Sequence, residues 1–223
     1  MGLKADYDMI ELPSIFEAVN RPFVFVDFRD STTIDYKTSD KKLSRFMRGI
    51  DRLIRDRKDR RGLIQSRSFF WAERIVRGSR QSSRMIRNCD SSSLEMMLKM
   101  LRSNRGRGKI LVSPSVDTGI DFPGEQARFN IIWKVPFPDR RTDLMELRCK
   151  VKGFVVMLIK ETILQMYGRS TRSATDWSET FILDRHWLFF YRENASRFPL
   201  YFRKAYRVSR GFPEPMTRPV AQG

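Results

Sequence analysis

The sequence predicts an α/β domain in which helices cover both faces of a mainly parallel sheet. Short apolar runs typical of buried strands alternate along the chain with longer segments whose apolar residues recur at helical spacing. With 41% hydrophobic residues in a chain of 223, the domain can bury a core without disulfides or metal ions. No internal repeat and no linker divides the chain, so one domain is expected.

The first half of the chain alternates strand and helix patterns. An apolar run, FVFVDF, predicts a strand at 23–28, and apolar residues between 43 and 54 then share one face of a helix. The opposite face is basic from Arg52 to Arg61. We interpret it as a solvated surface, with nucleic-acid contact as the alternative. The other patterns of this half predict strands at 62–66 and 83–87, a short helix at 69–76, and a helix opened by a capping box at Ser92 and Glu95.

The second half begins with two strands, KILVS at 109–113 and FNIIWKV at 129–135, on either side of a polar turn. A capping box at Asp143 and Glu146 then predicts one long helix as far as Met166. The remaining patterns predict a strand at 179–183, helices at 188–194 and 200–208, and a tail rich in Pro and Gly. These patterns divide the chain into a leading segment (1–22), a folded domain (23–208) and a flexible tail (209–223).

The charge balance indicates a polyanionic partner. The chain carries 43 Lys and Arg against 26 Asp and Glu, a net charge of +17. A surplus this large creates a positive surface potential, for which nucleic acid is the leading partner and an anionic membrane surface the alternative. No apolar run approaches the roughly 20 residues of a membrane span, and no signal-peptide pattern is seen at the start. A cytoplasmic protein is expected, associated with the nucleoid or present in a phage-infected cell.

Metal-ligating residues are too few for an all-protein zinc or iron–sulfur site. Cys89 and Cys149 form no CxxC pair and are expected to be reduced thiols. His186 is the single histidine, and no Ser or Cys lies at a recognisable spacing from it. We therefore expect His186 to be a structural or surface residue and not a catalytic base.

The segment QMYGRSTR, at 165–172, places two arginines three residues apart after a helix end and a glycine. Both side chains can point into one cleft, and a guanidinium suits phosphate because it donates two parallel hydrogen bonds. Arginines of this kind stabilise the charge that develops during phosphoryl transfer. The alternative is a basic loop at a helix terminus, where cations interact favourably with the helix dipole.

The segment SPSVDTGIDFPG, at 113–124, forms a turn rich in Asp and Gly directly after a predicted strand. Asp117 and Asp121 would lie at the mouth of this turn, where a ribose or a metal ion could bind them. An ordinary loop of turn-forming residues is the alternative. The glycines before Lys109 do not form a phosphate-binding loop, because Ile110 stands where Ser or Thr must hold magnesium.

Taken together and in this order, four segments resemble the C-terminal lobe of superfamily 2 DNA helicases in the XPD/DinG-like branch. GLIQSRSF resembles motif IV of the family, and ILVSPSVDTGIDFPG resembles motif V. FNIIWKVPFP is similar to the strand that follows motif V. QMYGRSTRSATDWSETFILDRH resembles motif VI together with the strand after it. The resemblance covers residues 23–206. It implies a three-layer RecA-like lobe, with ATP bound between two such lobes and single-stranded DNA crossing both.

The resemblance also implies roles for individual residues. Arg169 and Arg172 would reach the γ-phosphate of ATP as arginine fingers, with Gln165 beside them. Gly119 and Asp121 would line the nucleotide edge near the ribose. The residues implied to face the DNA backbone are Ser66, Ser68, Ser113 and Thr118. Thr118 stands where the family often has Glu. This departure puts the coupling role of the position in doubt, but not the fold.

In this family the phosphate loop, the DEAH-type acidic motif and, in many members, a four-cysteine iron–sulfur cluster belong to the first lobe. None of these patterns occurs in this sequence. The resemblance therefore implies a second motor lobe that binds single-stranded DNA, shares ATP and Mg²⁺ with a separate first-lobe chain or domain, and acts in DNA repair or replication. One alternative is a non-catalytic nucleic-acid-binding protein that kept the fold, and another is a structural or regulatory subunit. The intact Gln165, Arg169 and Arg172 favour the motor lobe.

Overall fold

A computed structural model describes residues 14–88, 94–103, 106–114, 120–173 and 175–217. Its centre is a seven-stranded sheet in which each pairing between described strands is parallel. The strands are β1 (Phe23–Asp27), β2 (Gly62–Gln65), β3 (Met85–Arg87), β4 (Ile110–Ser113), β5 (Phe129–Ile132), β6 (Glu179–Ile182) and β7 (Tyr206–Arg210). They lie in the order β3-β4-β2-β5-β6-β1-β7. The predicted α/β fold with a mainly parallel sheet is confirmed.

Helices cover both faces of the sheet, which gives three layers. They are α1 (Asp40–Asp56), α2 (Phe69–Gly78), α3 (Leu94–Arg102), α4 (Asp143–Cys149), α5 (Phe154–Tyr167), α6 (His186–Asn194) and α7 (Leu200–Ala205). The first two, α1 and α2, pack on one face through apolar residues such as Phe46 and Trp71. On the other face, α3 covers β2 and β4, while α5, α6 and α7 cover β1, β5 and β6. The central strands are buried along their length because both faces are covered.

The long helix predicted from Asp143 to Met166 is wrong, because the chain forms two helices there. Gly153 separates α4 from α5 and adopts a left-handed backbone conformation with a φ of 84°. That conformation favours glycine, since a Cβ would approach the following carbonyl oxygen. Leu144 and Leu147, two of the apolar residues whose spacing predicts the long helix, are 59% and 60% exposed on α4.

The C-terminal region contains a strand where the pattern predicted helix. Ala205 ends α7, and the next residues form β7, which pairs with β1 at the edge of the sheet. Periodicity over so few residues does not separate a strand from a helix. These residues form a strand because the edge of β1 offers a row of backbone donors and acceptors with which β7 pairs.

The predicted flexible tail from residue 209 is corrected in its first part. After β7 ends, residues 211–217, here called the C-terminal strap, pack against the domain. The ring of Phe212 lies 5.2 Å from that of Phe28, centroid to centroid. The carbonyl of Met216 accepts a hydrogen bond from Arg60 at 2.6 Å. The rest of the predicted tail lies outside the described residues.

The basic face of α1 is solvated only in part. Arg57 is 1% exposed, and it donates from Nε and Nη2 to the two carboxylate oxygens of Glu179 at 2.8 and 2.7 Å. Its guanidinium also lies 4.6 Å from the ring centroid of Phe181. The side chains of Arg52 and Arg55 are 55% and 64% exposed. The interpretation as a solvated face therefore fits Arg52 and Arg55 and is wrong for Arg57.

Candidate functional site

The two arginines of QMYGRSTR converge on one carboxylate. Arg169 lies in a 3-10 turn, Gly168–Ser170, that continues from the end of α5. Its Nη1 lies 3.5 Å from Oδ1 of Asp121, and Nη2 of Arg172 donates to the same oxygen. The Arg169 side chain is 10% exposed and that of Arg172 is 43% exposed. The structure thus brings together three of the residues that the resemblance assigned to the nucleotide.

Backbone contacts hold this convergence. The amide of Phe122 donates to the carbonyl of Arg169 at 2.9 Å. Oδ2 of Asp176 accepts hydrogen bonds from the amides of Gly124, at 3.0 Å, and of Arg172, at 3.4 Å. The loop before β5 and the loop after α5 are therefore fastened to each other at two points.

A buried ion pair lies beside these contacts. Nη1 of Arg128 donates to Oδ1 of Asp176 at 2.8 Å, and its guanidinium lies 4.5 Å from the ring centroid of Trp177. Arg128 and Asp176 shortly precede β5 and β6, so the cluster lies at the amino-end edge of the sheet. Sequence reasoning missed both residues, because no local pattern indicates that charges 48 positions apart are paired and buried.

The arrangement suits an anion with several oxygens. Two guanidinium groups that reach one carboxylate oxygen can also reach one phosphate oxygen, since both acceptors match the arginine fork. An open cavity of about 490 Å³ adjoins Arg172. It is lined by Pro123, Gly124, Arg128, Arg172, Ser173, Thr175 and Asp176. An anion entering this cavity would compete with Asp121 for Arg172, whose half-exposed side chain can reorient.

The other residues assigned to the nucleotide are less closely placed. Gln165 lies on α5, one helical turn before Arg169, and is exposed. Asp121 contacts Arg169 and Arg172 in this structure, and the sequence did not indicate that these residues are partners. Gly119 and Thr118 lie outside the described residues, as does Asp117.

The serines predicted to face DNA are mostly beneath the surface. Ser66 and Ser113 are fully buried. The hydroxyl of Ser66 donates to the carbonyl of Ser68 at 3.2 Å, and that of Ser113 accepts from Nδ2 of Asn88 at 3.0 Å. Ser68 caps α2 by accepting from the amide of Trp71 at 3.2 Å. The hydroxyls of Ser66 and Ser113 are thus buried and hydrogen-bonded within the domain, and their contact with DNA stays a prediction.

A second concave surface, here called the aromatic groove, lies at the carboxyl-end edge of the sheet and has a volume of about 750 Å³. It is lined by Tyr36, Arg67, Ser68, Phe70, Trp71, Lys134, Val135, Phe137, Pro138, Asp139, Arg140 and Arg141. These residues come from the loop before α1, the β2–α2 connection, the first turn of α2 and the loop after β5. Such a combination of rings and cations is typical of surfaces that stack bases and neutralise phosphates.

Two rings of the aromatic groove face solvent beside a partly buried cation. Tyr36 and Phe70 are 72% and 48% exposed, and their ring centroids are 5.8 Å apart. Nζ of Lys134 lies 5.2 Å from the Tyr36 ring centroid. Burial lowers the pKa of Lys134, and nearby Asp184 opposes that shift. An ammonium group that is partly removed from water interacts more strongly with an anion than an exposed one does.

Asp184 holds the loops that form the aromatic groove. This fully buried carboxylate accepts hydrogen bonds from the amides of Ile34, at 3.2 Å, and Val135, at 2.9 Å. Nδ1 of His186 lies 3.0 Å from Oδ1 of Asp184, and this hydrogen bond raises the pKa of His186. His186 therefore has the structural environment expected of it.

Two kinds of feature are absent from the part of the chain that the structure describes. In these residues no three His, Cys, Asp or Glu side chains are grouped so that they could hold a metal ion. Among the described helices, none has the length and apolar character needed to cross a bilayer.

Comparison with known proteins gives one family. The sequence model of a family described as the helicase C-terminal domain matches residues 69–205, more than half of the chain. The match includes the aromatic residues at the start of α2, the loop that carries Asp121 and the segment that carries Arg169 and Arg172. The resemblance found in the motifs is confirmed.

The fold is similar to those of XPD structures. Xpd4 of S. tokodaii has a TM-score of 0.60 at 12% identity, with 94% of this chain and 42% of that chain covered. A structure described as an XPD helicase has a TM-score of 0.60 at 17% identity, covering 85% of this chain and 36% of that one. A structure described as XPD APO has a TM-score of 0.59 at 19% identity, with 81% of this chain and 38% of that chain covered. This chain thus spans about two fifths of their length, and the RecA-like fold is confirmed.

Proposed function

Because the chain belongs to the helicase C-terminal domain family, we propose that it is the second motor lobe of an ATP-dependent DNA helicase. The observation that carries this proposal is the convergence of Arg169 and Arg172 on one oxygen of Asp121. Two arginines so placed can act together on one phosphate group. Binding DNA alone does not require such an arrangement at the amino-end edge of the sheet.

In this proposal ATP binds between this lobe and a first lobe, which belongs to another chain or to another part of a longer polypeptide. The first lobe would hold Mg²⁺, which would neutralise charge on the phosphates. Arg172 exchanges Asp121 for the γ-phosphate, and Arg169 donates from its more buried position. Both stabilise the negative charge that develops as the γ-phosphoryl group is transferred to water. Gln165, which is exposed on the preceding helical turn, would assist them from α5.

The aromatic groove is the proposed surface for single-stranded DNA. Unpaired bases would stack on Tyr36 and Phe70, while Lys134 and Arg67 neutralise phosphates. Ser68 lies in the same groove, so one of the predicted serines remains at the proposed interface. The net charge of +17 supports an electrostatic contribution to this binding.

A non-catalytic nucleic-acid-binding protein is the second candidate. The observation in its favour is that the aromatic groove is built from described residues of this chain alone, whereas the arginine pair needs a first lobe to meet a nucleotide. The two candidates differ in one measurable property, because only the motor lobe changes ATP turnover when it is combined with a first lobe.

The test is steady-state ATPase of this chain combined with a first lobe, at saturating single-stranded DNA. Arg169→Ala and Arg172→Ala should each lower turnover by about 10³- to 10⁵-fold, because a finger acts on charge formed in the transition state. Arg172→Lys should restore little of it, since a point charge does not reproduce the two-pronged contact. DNA affinity should be unchanged in all three variants.

Arg55→Ala is the matched control, because the Arg55 side chain is 64% exposed on α1 and lies outside both proposed surfaces. It should leave turnover unchanged, and this chain without a first lobe should hydrolyse no ATP. Near-normal turnover in both arginine variants would overturn the motor-lobe proposal and favour the second candidate.

A further inference from the structure

Two amide side chains are buried next to each other in the middle of the sheet. Gln65 on β2 and Asn130 on β5 are 1% and 0% exposed, on the face covered by α3 and α5. Nε2 of Gln65 donates to Oδ1 of Asn130 at 2.9 Å. Apolar residues occupy neighbouring positions on the same face, such as Leu63 and Ile132. A pair of amides in this core needs a specific reason, because burying polar groups is costly unless they are hydrogen-bonded.

Both amides are directed at one backbone carbonyl. Nε2 of Gln65 and Nδ2 of Asn130 each lie 3.0 Å from the carbonyl oxygen of Met166 and donate to it. Met166 belongs to the last turn of α5, where carbonyl groups lack intrahelical partners. The sheet therefore holds the end of α5 by two side-chain hydrogen bonds, in addition to apolar packing.

The carbonyl that they hold lies three residues before Arg169. On the other side of this arginine, its own carbonyl accepts a hydrogen bond from the amide of Phe122 at 2.9 Å. The backbone of Arg169 is thus held between the central strands and the loop that carries Asp121. Its guanidinium, with a side chain only 10% exposed, has little room to correct an error in backbone position.

From this geometry we propose that Gln65 and Asn130 are positioning residues that set the direction of Arg169 toward the phosphate. That Arg169 acts on a phosphate rests on the proposed function. That Gln65 and Asn130 orient Arg169 rests on the hydrogen bonds alone. An apolar pair of similar volume would also fill this core, and its packing would stabilise α5. It would leave the Met166 carbonyl without its two side-chain donors.

The test uses the whole chain with ¹⁵N-labelled arginine and reads the motion of each Nε–Hε group by relaxation. In the double variant Gln65→Met/Asn130→Leu, the hydrogen bond between the amides is lost together with both of its partners, whereas the Met166 carbonyl loses two donors. Global stability should therefore fall by about 1–3 kcal/mol, the cost of one buried acceptor without its donors. The Arg169 signal should show reduced order, and hydrogen exchange of the Phe122 amide should become about tenfold faster, since two hydrogen bonds that restrain this turn are lost.

Arg57 is the internal control, because it is a buried arginine whose Nε donates to Glu179 across the opposite face of the sheet. Its order should be the same in both proteins. If the double variant does not fold, the single variant Gln65→Met, which keeps the Asn130 donor, should show a smaller change of the same kind.

An Arg169 signal and a Phe122 exchange rate that match the unsubstituted protein in a folded variant would overturn the proposal, and the amides would then be core packing only. Neither measurement involves nucleotide, DNA or a first lobe. Failure of the motor-lobe proposal in the ATPase assay would therefore leave this result unaffected, and the two failures are distinguishable.

Discussion

At the scale of single residues, two buried ion pairs among the described residues join distant positions of the chain. Arg57 pairs with Glu179, and Arg128 pairs with Asp176. Removing a charge from water costs several kcal/mol, which a partner offsets only when its geometry is good. Both pairs lie at the amino ends of β5 and β6, so they restrain the same edge of the sheet that carries Asp121.

Replacing Arg57 by Leu should destabilise the fold by about 3–5 kcal/mol, because Glu179 would stay buried without its bidentate partner. Arg60 also donates to Glu179, at 3.2 Å, and cannot replace both hydrogen bonds. Urea unfolding followed by tryptophan fluorescence measures the change.

The control for this prediction is Arg55→Leu, because the Arg55 side chain is 64% exposed on the same helix. It should change stability by no more than about 0.5 kcal/mol. A loss below about 1 kcal/mol for Arg57→Leu would mean that the buried pair contributes no more than a surface ion pair does.

At the scale of elements, one glycine divides the segment between β5 and β6 into two helices. The apolar spacing from Asp143 to Met166 is compatible with a continuous helix, yet Gly153 breaks it with a φ of 84°. The break separates α4, whose Leu144 and Leu147 are largely exposed, from α5, which packs on the sheet and ends at the arginine pair. The length and direction of α5 therefore depend on this turn.

Gly153→Ala should destabilise the fold by about 1–2 kcal/mol, because a residue with a Cβ is unfavourable in the left-handed region. Apart from Gly153 and its two chain neighbours, no described residue has a heavy atom within 4 Å of the position that the new Cβ would take, so the expected cause is backbone conformation. Thermal unfolding of the two proteins gives the difference.

Gly168→Ala is the matched control, since Gly168 also has open space around it but has a φ of −72°. It should be neutral or stabilise the fold by about 0.4–1 kcal/mol, through a smaller loss of chain entropy on folding. Equal destabilisation by both substitutions would show that the backbone conformation of Gly153 is not the cause.

At the scale of the whole molecule, the two candidate surfaces lie at opposite edges of one sheet. The arginine pair and its buried ion pair are at the amino ends of β5 and β6, whereas the aromatic groove is at the carboxyl ends of β2 and β5. The fully buried central strands connect the two edges. A lobe of this shape can contact a nucleotide on one side and a polymer on the other without large internal movement.

Single-stranded DNA should bind with strong salt dependence, because each neutralised phosphate adds about −0.7 to the slope of log affinity against log salt. Lys134→Ala should make that slope less negative by about 0.7, since it removes one cation from the groove. Tyr36→Ala should lower affinity by about 1–3 kcal/mol and leave the slope unchanged, because it removes a stacking ring. Fluorescence anisotropy of a labelled oligothymidine at several salt concentrations measures both effects.

The control here is Glu193→Gln on α6, which increases the net charge without touching the groove. Glu193→Gln should have little effect on the affinity for single-stranded DNA or on the slope of log affinity against log salt. Equal slopes for Lys134→Ala and the unsubstituted protein would exclude the aromatic groove as the phosphate-binding surface.

Much of the fold could be predicted from the sequence alone. The alternation of strands and helices was readable because buried parallel strands are short apolar runs and surface helices repeat their apolar residues every three or four positions. Arg169, Arg172 and Asp121 were readable as candidate residues, since each belongs to a segment with a recognisable order of residues. The structure brings the three side chains into contact, and their role in binding a nucleotide stays a prediction. Local spacing and residue chemistry carry both kinds of information.

The tertiary structure alone decided the partners of those residues. Arg57 meets Glu179 across 122 positions, Arg128 meets Asp176 across 48, and the aromatic groove combines three separate segments of the chain. It also decided that Ser66 is buried. The physical reason is that burial and pairing depend on which surfaces the packed elements bring together, and a side chain has the same local sequence whether it ends in solvent or in the core.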